Sequence, residues 1–167
     1  MAAHILVAYT TRKGSTTEIA LAIAKELEKT GATVTASDMT TVSSLEGYNA
    51  VVIGAPVYTG KVAREVTLFA RRHRDCLSRV PVAGFVVGIA PVYPKTGDVS
   101  VFTGQLAEAL APAKPVAVTM FAGNLEVKQL SFMERGMTSL LKVPTGDFRD
   151  WVAIASWARD LPGKMGL

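Results

Sequence analysis

The chain has one cysteine and two histidines in 167 residues. A single thiol, Cys76, excludes an internal disulfide and any cysteine-held metal cluster, and it suits a reducing compartment. It follows a charged run and reads as a plain, partly buried thiol at a helix end. Long apolar runs are missing too, and none reaches the eighteen or so residues of a membrane span. The first apolar run is short and has no basic stretch before it, so no secretory leader is expected and the expected location is the cytoplasm. No Ser/His/Asp or Cys/His set is in evidence, so no catalytic residue is assigned and no metal site is expected. His4 starts the first strand and reads as structural, and His73 lies in an arginine run and reads as solvated. The two common glycine-rich phosphate loops, G-x-x-x-x-G-K-S/T and G-x-G-x-x-G, are both absent.

What is present is globular in composition, with 49% hydrophobic and 19% charged residues. The length suits one domain with a single core. The net charge of +4 is concentrated at Arg71, Arg72, His73, Arg74 and Arg79. A solvated helix face and a docking patch for an acidic partner or an anionic surface both account for that run. Nucleic acid is the weakest partner class, because no binding motif or interleaved aromatics accompany the arginines.

The most informative segment runs from Tyr9 to Ala20. Ile5-Leu6-Val7-Ala8 before it reads as a buried strand. Ile19, Ala20, Ile23, Ala24 and Leu27 after it have the spacing of a helix packed on a sheet. The loop between them holds hydroxyls, two cations and one glycine. A helix N-terminus presents unpaired N–H groups and the positive end of a dipole, so the loop has the composition of an anion site. Its pattern, Thr11, Gly14 and Thr16, surrounds an anion with hydroxyls rather than glycines, which suits the terminal phosphate of a mononucleotide. The plainer alternative is a strand-turn-helix with Ser15 or Thr16 as N-cap.

Strand and helix signals alternate along the chain. Strands are expected at 3–9, 32–37, 50–53 (ending at Gly54), 82–89 and 116–121. Helices are expected at 15–29, 62–77, 99–111 (Val101, Leu106, Ala109 and Leu110 inward) and 148–160 (Trp151, Ile154, Ala155 and Ala158 inward), with a weak helix or turn at 42–45. Five apolar strands separated by helices give an α/β fold, a doubly wound five-stranded parallel sheet in order 2-1-3-4-5. Ligands in that order sit at the carboxyl ends of strands 1, 3 and 4. The loops there are unusual. Gly54-Ala55-Pro56-Val57-Tyr58-Thr59-Gly60-Lys61 follows the third strand, and Gly88-Ile89-Ala90-Pro91-Val92-Tyr93-Pro94 opens a long loop after the fourth. Such loops in a small α/β domain usually carry function. A planar ring fits between them, although Tyr58 and Tyr93 also read as half-buried loop anchors.

At these residues the chain resembles the flavodoxins, whose phosphate loop is T/S-x-T-G-x-T. Thr11, Gly14 and Thr16 match it, and Lys13 replaces the middle hydroxyl. The branch with menaquinone-dependent protoporphyrinogen dehydrogenases is most similar: its S/T-T-R-x-G-x-T-x-E-I-A loop fits Thr10 through Ala20, and Val52-Ile53-Gly54-Ala55 also looks like it. That branch carries an insertion after the fifth strand. Here the corresponding stretch, about 124–146, includes Leu130, Phe132, Met133, Met137, Leu140 and Leu141, bordered by Lys128, Arg135 and Lys142. It leads into Gly146-Asp147-Phe148-Arg149-Asp150-Trp151. The expected organisation is one flavodoxin-like domain over 1–167 with this apolar helical insertion.

The resemblance implies FMN as cofactor. Thr10, Thr11, Arg12, Lys13, Gly14, Ser15 and Thr16 would hold its phosphate. Pro56, Val57, Tyr58, Thr59, Gly60 and Lys61 would meet one side of the ring, and Gly88, Ile89, Ala90, Pro91 and Tyr93 the other. Three functional readings stand at this point. One is an FMN-dependent oxidoreductase acting on a hydrophobic substrate such as a porphyrinogen, with a quinone-type acceptor. The second is an electron carrier docking on redox partners, although such carriers are typically acidic. The third is a non-redox binding or receiver-like module, but no acidic pocket ends strand 1 or strand 3. The insertion has three options: peripheral contact with the inner face of the membrane, a grip on the substrate, or packing on its own domain or in a homodimer.

Overall fold

Ile5, Leu6, Val7 and Ala8 form a run without a polar face, which is stable only in a strand covered on both sides. In the computed structural model of the chain, which describes residues 2–12, 14–126 and 130–167, that run lies within strand β1 (His4–Tyr9) and is fully buried. The order continues α1 (Ser15–Glu28), β2 (Thr33–Asp38), β3 (Ala50–Tyr58), β4 (Lys61–Val62), α2 (Glu65–Arg72), α3 (Arg74–Leu77) and β5 (Val82–Gly88). Then come α4 (Val99–Leu110), β6 (Ala117–Ala122), β7 (Asn124–Leu125), α5 (Phe132–Leu140), β8 (Gly146–Asp147) and α6 (Trp151–Lys164). The long strands are parallel in the order β2-β1-β3-β5-β6, the doubly wound arrangement expected. Off that path, β4 pairs antiparallel with β3 and β7 with β8.

Strand alternation divides the core in two. Ile5, Val7, Val52 and Phe85 meet Ile19, Ile23 and Leu27 of α1 and Ile154, Ala158 and Leu161 of α6. Leu6, Val51, Ile53 and Val86 meet Val66 and Phe69 of α2 and Phe102, Leu106 and Leu110 of α4. Gly54 marks a close approach: a Cβ there would lie 2.1 Å from the tip of the Phe85 ring.

Several local expectations need correction. Strand β3 continues past Gly54 to Tyr58 despite Pro56. Its neighbour β1 pairs only as far as Gly54, so the proline loses no ladder partner on that side. The span 62–77 is not one helix. Thr59 and Gly60 both adopt positive φ, forming a tight hairpin turn that makes Lys61–Val62 a strand. The helical part then breaks at His73, between α2 and α3. His73 is buried, not solvated, with its ring 4.6 Å from that of Phe69. On α4 the inward residue is Phe102, and Val101 is exposed. Asp150 caps α6 through the Ala153 N–H, so that helix starts at Trp151, which is exposed rather than inward. The turn expected at 42–45 lies earlier, as a 3-10 turn over Met39–Thr41 capped by Asp38.

No helix among the described residues is long and apolar enough to cross a membrane.

Candidate functional site

A cleft of about 160 Å³ lies at the carboxyl ends of β1, β3, β5 and β6. Arg12, Ser15 and Thr16 border it from the loop after β1 and the start of α1. Pro56, Val57 and Tyr58 come from the end of β3, and Val87, Gly88 and Ile89 from β5 and its loop. Gly123, Asn124 and Leu125 follow β6, Leu130 lies just before α5 and Glu134 lies on it. This is where the crossing direction of a doubly wound sheet reverses and the loops splay apart.

The anion end is built from α1. Gly14, at φ +82°, precedes the helix and gives it no side-chain cap. Neither Ser15 nor Thr16 acts as the cap. Thr11 Oγ1 accepts the Gly14 N–H at 3.1 Å, which shapes the loop. Ser15 Oγ accepts the Asn124 N–H at 3.0 Å, joining the first helix to the end of β6. That approach needs Gly123, where a Cβ would lie 2.9 Å from Val87 and 3.2 Å from Ser15 Oγ. Thr16 is fully buried, and its hydroxyl has no hydrogen-bond partner among the described residues; the side-chain oxygen of Asn124 is likewise buried and unpartnered. Buried polar groups without partners are rare enough to indicate a ligand or water.

Charge around the loop is partly committed. Arg12 holds both carboxylate oxygens of Glu65 at 3.1 Å. That bond keeps the Glu65 carboxyl below the usual carboxylate range against the opposing effect of its partial burial. Thr10 is buried, with its hydroxyl 3.5 Å from Glu65, so it braces this pair rather than the cleft. The expectation for Lys13 lies outside the described residues, as does that for Lys128.

The remaining candidates are more dispersed. Thr59, Gly60 and Lys61 form the β3–β4 turn, held by Gln105, which accepts from Val62 and donates to the Gly60 carbonyl. Lys61 lines a separate groove with Gln105 and Glu108. Ala90 and Pro91 line another, beside Pro94 and Val99. Tyr93 donates its hydroxyl to the Leu141 carbonyl at 2.8 Å and so anchors the far end of α5. Val87, Gly123, Asn124, Leu125 and Glu134 were not singled out from sequence as cleft residues. Phe121-Ala122-Gly123-Asn124-Leu125 resembles the same branch in sequence but carries no ligand signal of its own, and Glu134 reaches the cleft because α5 lies beside it.

The stretch that carries α5 is closed at its base. β7 and β8 pair, and the Phe148 N–H donates to the Gly123 carbonyl. Arg149 then pins this base to α1. Its side chain is 7% exposed, bonded to Glu18 at 2.6 Å and Asp147 at 2.7 Å, and 4.8 Å from the centre of the Trp151 ring. The bond from Arg149 lowers the Asp147 pKa, and that to Asp147, chiefly, raises the Arg149 pKa. On α5, by contrast, Phe132, Met133, Met137 and Leu140 are all exposed.

Comparison with known proteins agrees with this architecture. Protoporphyrinogen IX dehydrogenase (quinone) of Escherichia coli strain K12 is 24% identical over 169 aligned positions, covering 93% of each chain. The protein of that name from Leishmania major is 26% identical, covering 93% of this chain and 73% of its own. A flavodoxin from the domain Archaea superposes with a TM-score of 0.63 at 14% identity, covering 98% of this chain and 99% of its own. The flavodoxin of Streptococcus pneumonia TIGR4 gives 0.61 at 15% identity, covering 97% and 99%. A family model described as Flavodoxin domain matches residues 6–151. The chain therefore belongs to the flavodoxin-domain family of flavoproteins, whose cofactor is FMN.

Proposed function

We propose that the chain binds FMN in the cleft and is an oxidoreductase that removes hydrogen from a hydrophobic donor of the porphyrinogen class, with a quinone-type acceptor. The residues fit the cofactor. The uncapped first turn of α1, the unpartnered Thr16 hydroxyl, Ser15 and Arg12 supply donors and charge for a phosphate. Pro56, Val57, Val87 and Ile89 supply apolar walls for a planar ring. Bound FMN would supply the redox chemistry. The protein's part is to hold the phosphate, exclude water from the ring and orient the donor. We read the chain as one domain with an insertion at about 124–146.

The observation that carries the substrate reading is α5. Its residue Glu134 borders the cleft, while Phe132, Met133, Met137 and Leu140 lie open to solvent beside it. Exposed apolar surface of this kind at a cleft suits a large apolar donor, or a membrane from which a quinone is drawn. The similarity to protoporphyrinogen IX dehydrogenases over 93% of the chain supports the porphyrinogen class.

The test is anaerobic mixing of FMN-loaded protein with protoporphyrinogen, followed by addition of a quinone. Flavin bleaching by the donor, porphyrin fluorescence and reoxidation by the quinone are expected. Retained flavin that no porphyrinogen reduces would leave an electron carrier without a substrate of its own.

A further inference from the structure

Among the described residues of the cleft, Arg12 and Glu134 carry the charges. Arg12 is paired with Glu65 at the phosphate end. Glu134 comes from α5, and its contacts include a capping box and a bond to Tyr58. Its Oε1 accepts the Ser131 N–H at 3.0 Å, while Ser131 Oγ accepts the Glu134 N–H, a reciprocal capping box that locks the side chain. Its Oε2 accepts the Tyr58 hydroxyl at 3.1 Å. The third position of a helix favours a negative charge. Because the Tyr58 proton is directed to Glu134, the phenol oxygen keeps its lone pairs for a second donor. Both side chains line the cleft, so a polar hydrogen of a bound molecule has a two-step route: first to the phenol oxygen, then to the carboxylate.

We infer that Tyr58 and Glu134 form a proton-accepting relay at the donor end of the cleft, serving substrates whose N–H is conjugated with the carbon being oxidised, as a pyrrole N–H is with its bridge methylene. This rests on the FMN reading above. Oxidation of a methylene bridge joined to a pyrrole gives up a hydride from the bridge carbon and a proton from the ring N–H, and the ring double bonds shift to leave an exocyclic C=C and a ring C=N. Bound flavin would be the two-electron oxidant that takes the hydride with its electron pair. The N–H bond breaks as an O–H bond forms at Tyr58 Oη. The original Tyr58 proton moves to Glu134 Oε2, leaving a neutral carboxyl that water at the cleft mouth discharges. The apolar surface of α5 and this relay would then select one donor class: large, apolar and bearing N–H groups.

A plain latch holding α5 to β3 would use the same hydrogen bond, so the test separates the two. FMN-reconstituted protein is compared with Glu134→Gln, Glu134→Asp and Tyr58→Phe. Glutamine can still accept the Ser131 N–H, and phenylalanine leaves the capping box intact, so α5 stays formed. All variants should retain FMN. With no substrate present, dye equilibration should show a higher flavin midpoint potential in Glu134→Gln, since a negative charge near the ring is lost. Reduction by protoporphyrinogen should slow ~100-fold in Glu134→Gln, lose its solvent deuterium isotope effect in Tyr58→Phe, and recover in part in Glu134→Asp. Variants that hold FMN and match wild type in both potential and reduction rate would overturn the relay alone. Wild-type protein that holds no FMN would overturn the relay together with the reading beneath it.

Discussion

Helix α1 sends Ile19, Ile23 and Leu27 into the core, each fully buried, whereas α5, with Phe132, Met133, Met137 and Leu140, buries none of its residues. The local signals run the other way. α5 has a complete capping box, and α1 has no side-chain cap at all. A nine-residue helix is marginal in water by itself, so such a cap contributes much of what keeps α5 formed. α1 is held by tertiary packing, and that frees its first turn to face a ligand. The core on the α1 face of the sheet is made with α1 and α6, and α5 contributes nothing to it. Apolar spacing in a sequence therefore identifies a helix face without saying what that face meets.

The largest predicted contrast is in stability. Phe85→Ala should cost about 3–5 kcal/mol in urea unfolding, because the ring is fully buried between α1, α6 and Gly54. Phe132→Ala, at a side chain 92% exposed, should stay within about 0.5 kcal/mol. A loss above 2 kcal/mol at Phe132 would mean that the α5 face is covered in solution, most simply by a second copy.

Next comes the joint between the two regions. Arg149→Gln removes charged hydrogen bonds to Glu18 and Asp147 from a nearly buried site and should cost about 1.5–3 kcal/mol in thermal unfolding. An unchanged melting temperature would make the stretch that carries α5 independent of α1.

The third contrast separates binding from folding. Thr16→Ala should weaken FMN binding about 10- to 100-fold, since it deletes a buried hydroxyl with no partner among the described residues. It should leave the fold intact. Equal weakening from Leu140→Ala would erase the distinction between cleft and surface helix.

The smallest effect concerns pH. Burial, with Arg72 nearby, holds the His73 pKa below its ordinary value, against a hydrogen bond to the Val42 backbone that raises it. The folded state therefore prefers the neutral ring, and the unfolded state binds the proton first. Stability from this site is present above the ordinary histidine value of about 6.5 and is lost as pH falls from there through the depressed folded value. His73→Phe should flatten that part of the stability profile; an unchanged slope would place the acid sensitivity elsewhere.

The sheet order was legible because Ile5–Ala8, Ala50–Ile53 and Val82–Val87 are unbroken apolar runs, which only covered parallel strands accommodate. The α1 loop was legible from its hydroxyls and its position before a periodic helix. The β3–β4 hairpin was not, because Thr59-Gly60 is an uncommon pair for a turn with two positive φ values. Burial of His73 follows from a helix break that has no glycine or proline to announce it. Glu134 was hidden most deeply: its spacing from Ser131 predicts a cap, and nothing local says that the same carboxylate meets Tyr58, 76 positions away.

The central claim is that the cleft at the strand ends holds FMN through α1, independently of the exposed face of α5. The most direct measurement is a fluorescence-quenching titration of flavin-free protein with FMN for wild type, Thr16→Ala and Phe132→Ala. The account predicts tight binding in wild type and Phe132→Ala, and a weakening of tenfold or more in Thr16→Ala. No binding by wild type, or equal affinities for wild type and Thr16→Ala, would contradict it.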